Sequence, residues 1–175
     1  MDTTLETGAA VLDASQRFAR DHERVGALAD GLKTLLNGPP PNDVQVLASA
    51  RWAFASALMQ GLAIKERHIY AKLEQDARAH VAAFSERSKA DLLGRFDAYM
   101  QHMQQWPTSR VVGDWLRYRP SAIAVVDAFL DRLIWEEKDL FAFVDVQGID
   151  IAMPAGATSN WVRNAFDIKN SVEKL

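Results

Sequence analysis

The residues best suited to chemistry cluster twice in this chain. Residues 127–144 read DAFLDRLIWEEKDLFAFV. Phe129, Leu130, Leu133, Ile134, Leu140, Phe141 and Val144 fall near helical spacing there and define an apolar face. Arg132 stands one turn before Glu136 and is its neighbour on the helix surface, with Glu137 next in line. Residues 58–73, LMQGLAIKERHIYAKL, repeat the layout: apolar periodicity, the polar run Lys65-Glu66-Arg67-His68, then an aromatic. Carboxylates and imidazoles inside a helical assembly either converge on a metal ion or pair with basic head groups. No cysteine is present, which excludes thiolate metal sites, disulfides and Cys nucleophiles. P-loop, dinucleotide, HExxH and serine-nucleophile motifs are absent as well.

The elements that must carry these clusters are helices. A first helix is expected over about 10–36, with Leu12, Phe18, Val25, Leu28, Leu32 and Leu35 inward. Gly38 and Pro39-Pro40-Pro41 end it, because proline cannot continue a helix. Asn42 or Asp43 is the expected cap of a second helix reaching about Gln75, interrupted by Gly61. A third covers 81–105. Residues 108–120 form an irregular or short helical connection, and the fourth helix starts after Pro120 and ends near Asp145. Residues 147–175 differ in texture. Ile149, Ile151 and Met153 alternate like a short extended segment, and 161–174 suits a brief final helix. The predicted fold is all-α: an antiparallel, up-down-up-down four-helix bundle over 1–146, with 147–175 packing on the bundle or on a dimer partner.

Composition narrows the function classes. The 175 residues, 49% hydrophobic and 25% charged, suffice for one domain with a substantial core. A net charge of −3 and a pI near 5.8 give no basic surface for nucleic acid. No apolar run is long enough for a membrane span, the first residues are acidic, and a cytoplasmic protein is expected.

Three stretches resemble the hemerythrin-like family, the HHE cation-binding four-helix bundles, over about residues 18–144. ARDHERVGALADGL resembles that family's opening Asp-His signature. GLAIKERHIYAKL and RLIWEEKDLFAFV resemble its two His-x-x-x-Glu-Glu helices, each followed by Leu and an aromatic. The resemblance implies a di-iron centre held by histidines and carboxylates, used for O₂, NO or redox sensing and iron handling.

The departures from that pattern direct the reading of the site. Gly61 and Arg132 stand where the two motif histidines belong, Lys65 replaces a carboxylate, and Ala71 and Ala142 replace prolines. His22, Glu66 and Glu137 are what remains of the ligand set, as vestigial metal positions. The expectation is charge substitution: Lys65 and Arg132 occupy the space of two metal ions, neutralising Glu136 or Glu137, with His22 on the remaining carboxylate. Gly61 would leave room for Arg132. No cofactor is then expected, and the protein would be a non-enzymatic binding or regulatory module for an unidentified protein or small molecule.

Two rivals stand beside it. One is a di-iron or single-metal protein, with iron or zinc on His22, Glu66 and Glu137 and His68 recruited, sensing or handling O₂ or NO. The other is a homodimeric small-molecule binder gated by 147–175. His68, His80 and His102 read as exposed or connecting residues. The five tryptophans read as core or interface, with Trp135 placed to wall the polar cluster from water.

Overall fold

Helix α1 (Thr3–Asn37) opens the chain and turns at Gly38 into the proline run. This computed structural model describes the backbone of residues 3–152 and 154–155, and the side chains of 16–152 and 154–155. Asp43 caps the second helix, its side chain accepting the Gln45 N–H at 2.9 Å. That helix, α2, spans 44–75 and contains a π-helical turn at Glu66–Tyr70. Helix α3 (Ala79–Gln105) and the short α4 (Thr108–Val111) follow, and α5 spans 115–146 with its own π-helical turn at Glu136–Leu140. The described residues are all-α, with no strand. No helix among them is long and apolar enough to cross a membrane.

Helix α5 begins earlier than expected, at Trp115, and runs through Pro120. Buried Trp115 and Tyr118 anchor the added turns. Proline removes one N–H from the helix, and the carbonyl thus left lies on Leu116, which is 83% exposed, where water can reach it. The inward face of α1 is also displaced at its end: Leu36 is buried and Leu35 only half so.

Helix α1 lies against α2 and α5, and α3 lies against the end of α2 and against α5. Their apolar faces meet in one core. Phe129 sits in its middle, edge-to-face with Phe54, Phe96 and Tyr99 at 5.2–6.4 Å between ring centres. Such pairs contribute about 0.5–1.5 kcal/mol each beyond area burial.

Beyond α5 the chain turns at Gly148, whose φ of +66° is the left-handed conformation that glycine tolerates. Residues 149–152 and 154–155 then lie along the end of α2. Ile151 is buried and its carbonyl bonds His68 Nδ1 at 2.7 Å; the Ala155 N–H donates to the Arg67 carbonyl at 2.8 Å. Met153 and the expected final helix over 161–174 lie outside the described residues.

Candidate functional site: a buried ionic cluster

The apolar faces of α1, α2 and α5 converge on a polar knot. Glu136, at the start of the α5 π-helical turn, is fully buried at 0% exposure. Lys65 Nζ of α2 reaches its Oε2 in a tight ion pair, and Arg132 Nε donates to its Oε1 at 3.0 Å from one turn earlier. His22 of α1 places Nε2 3.2 Å from the same Oε2, an ion-pair contact not aligned as a hydrogen bond. Its Nδ1 lies 3.0 Å from Oε1 of the exposed Glu137. Both ring nitrogens thus face carboxylate oxygens, an arrangement in which both can donate only when the ring is protonated.

Arg132 is nearly fully used. Nη1 donates to Asp91 at 2.8 Å, and Nη2 to the Tyr70 hydroxyl at 2.6 Å and Ser88 Oγ at 3.0 Å. Its guanidinium covers the Trp135 ring at 4.2 Å, so this tryptophan does shield the cluster. The charges set the titration of the knot. Burial alone would raise the Glu136 carboxyl, but Lys65, His22 and Arg132 outweigh it and hold it at about 2. Burial pushes the Tyr70 hydroxyl up to about 12, against the pull of Arg132.

The sequence-derived set is brought together except at one position. Lys65, Arg132, Glu136, Glu137 and His22 form the knot. Glu66 does not join: it is buried with Oε1 on Lys89 Nζ of α3 at 3.0 Å, and Lys89 also holds Glu74 at 2.6 Å. His22 and Glu137 therefore meet without Glu66. His68 is buried rather than exposed, edge-on to Phe18 and bonded to the Ile151 carbonyl, so it is not available as a displaced ligand. His102 is also buried, against Tyr118 and bonded to Ser121 Oγ at 3.1 Å, while His80 is exposed and meets Gln147.

The residues present do not fit a di-iron group. The ammonium of Lys65 and the guanidinium of Arg132 occupy the carboxylate oxygens that would face the metal, and a cation brought there would be repelled at short range. Among the described residues no group of three or more His, Cys, Asp or Glu is arranged to hold a metal ion.

The expected role of Gly61 requires correction. A Cβ at Gly61 would lie 2.5 Å from Asp21 Oδ2, so the missing side chain makes room for Asp21 of α1 and not for Arg132. Asp21, Lys65, Arg132 and Glu136 border a small cavity of about 10 Å³, near the size needed for one water. Burial lifts the Asp21 carboxyl above its ordinary range, opposed chiefly by Lys65. Its signal in the sequence was the helix-interior glycine itself, which implies a close neighbour.

Arg51 was also missed. It is 1% exposed, donates to the Trp106 carbonyl at 2.6 Å where α3 ends, and forms no ion pair among the described residues. The negative end of α3 takes the place of a carboxylate. A single charge inside the small-residue run ASARWAFAS was its signal. Comparison with family models, curated proteins and solved structures finds no match for this chain.

Proposed function

We propose that the chain is a hemerythrin-like antiparallel four-helix bundle whose di-metal centre has been replaced by an internal ion-pair cluster, and that it acts in the cytoplasm as a non-enzymatic binding or regulatory module. The four long helices are α1, α2, α3 and α5. The observation that carries the reading is Glu136, fully buried and held by both Lys65 and Arg132. Those two residues stand where the resemblance would place a metal-binding carboxylate and a histidine. A buried set of this kind fixes helix register, since each partner left alone is a costly uncompensated charge. The partner, protein or small molecule, would be met on the outer faces of the bundle, by one chain or a homodimer.

The test is metal analysis of protein expressed with supplemented iron, alongside its visible spectrum. The expected result is no iron above background and a featureless spectrum. Near-stoichiometric iron with a charge-transfer band would overturn the reading.

A further inference from the structure

A groove of about 380 Å³ opens between α3 and α5 on the outer side of the cluster, lined by Phe84, Arg87, Ser88, Asp91, Arg95, Arg132 and Trp135. We infer that this groove binds a small planar carboxylate, an aromatic acid of one or two rings. The size lies within the range of small-molecule sites.

Three guanidinium groups and one carboxylate line the groove, in a protein whose net charge is −3. Asp91 is shared: Arg95 donates Nε to its Oδ2 at 2.9 Å and Arg132 donates Nη1 to the same oxygen at 2.8 Å. Both arginines keep donors. A guanidinium has five N–H groups, and Arg132 uses four of them on Glu136, Asp91, Tyr70 and Ser88. The fifth is on Nη1, the nitrogen that faces Asp91 in the groove. Arg87 is exposed and forms no ion pair among the described residues. An incoming anion thus meets the uncommitted Arg87 guanidinium and the two spare donors of Arg95, with buried Arg132 behind them as a nearby positive charge.

Apolar aromatic surface lines the same groove, although Arg132 already covers one face of Trp135. Trp135 and Phe84 are both half-buried and lie nearly parallel at 21°, and Phe143 stacks behind Phe84. Planar guanidinium forks suit carboxylates held in two-point contact, and the aromatic wall suits a flat ring attached to one. A phosphate would use the charge and waste the wall. A neutral ring would use the wall and leave the charges hydrated.

The inference deepens the binding-module reading by naming a ligand class, and its test reads the groove alone. Naphthoate is titrated calorimetrically into the full chain, with naphthamide as the neutral isostere and inorganic phosphate as the anion without a ring. Saturable naphthoate binding is expected, about tenfold or more tighter than either control, the equivalent of one charge-assisted hydrogen bond. Arg87→Ala, an exposed change that leaves the core untouched, is expected to weaken naphthoate about tenfold on the same basis. Absent naphthoate binding, equal affinity for naphthamide or phosphate, or unchanged affinity in Arg87→Ala would each overturn the inference. Metal content of the same preparation reports separately on the centre: iron there would defeat the proposed function and leave a positive groove result standing.

Discussion

Glu136 is fully buried and gathers three basic partners. Its carboxylate is removed from water, and Lys65, Arg132 and His22 replace that water as partners. Lys65→Met is expected to lower stability by about 3–5 kcal/mol, the usual loss on breaking a buried pair. A shifted urea midpoint at unchanged m-value would read it. The same residue sets an acid limit. Glu136 titrates near 2 in the folded protein against 4.5 ordinarily, so its stabilisation is complete above pH 4.5 and is lost as pH falls toward 2. The span corresponds to about 3 kcal/mol. His102 adds a limb at higher pH. Burial, then Arg51, lowers its imidazole from 6.5 to about 4, so the folded state stays neutral while the unfolded chain takes a proton. Its contribution is full above pH 6.5 and disappears as pH falls to 4. His102→Gln, which keeps a donor for Ser121, should flatten the upper limb of the stability–pH curve and spare the lower. An unchanged upper limb would reject the assignment.

At the scale of elements, the two helices that carry the cluster share a device invisible to periodicity. Each inserts a π-helical turn next to it, Glu66–Tyr70 in α2 and Glu136–Leu140 in α5. Such turns re-aim side chains by one extra residue and recur at functional sites. In α2 the Ala71 N–H donates five residues back, to the Glu66 carbonyl. The Arg67 carbonyl, passed over by that bond, takes the Ala155 N–H and seats the start of the C-terminal segment. Gly61, one turn before Lys65, leaves the space that the Asp21 carboxylate of α1 occupies. Gly61→Ala should gain about 1 kcal/mol of helix propensity yet lose it to the displaced carboxylate. The same change in an Asp21→Ala background should stabilise. A double-mutant cycle by denaturant unfolding measures this coupling, and a coupling of zero would remove Asp21 from the role. The apolar spacing made the long helices legible, and Gly38, the prolines and Asp43 marked their ends. Pro120 misled because local propensity places a start after it, whereas buried Trp115 and Tyr118 carry the helix two turns further back. Glu66 misled because a sequence lays residues on a face and cannot say that Lys89, on another helix, captures one of them.

At the scale of the whole molecule, the ion pairs around Glu136 link into a chain. It runs from exposed Glu137 through His22, Glu136 and Arg132 to Asp91 in the outer groove, each step within 3.2 Å. On the proposed reading, a bundle that no longer holds metal has kept a polar axis through its core, and the groove at one end is where a ligand would meet it. Two motif departures in the sequence point to Lys65 and Arg132 neutralising Glu136 or Glu137, and only the packed helices decide for Glu136. The route to Asp91 depends on α3, which carries no recognisable motif. The most direct test of the axis is diffraction from crystals of iron-supplemented protein, recorded at the iron absorption edge. The expected map has no anomalous peak among His22, Glu136 and Glu137, and continuous density from the Lys65 and Arg132 head groups to Glu136. A peak at that position, or both basic heads turned out to bulk solvent, would contradict it.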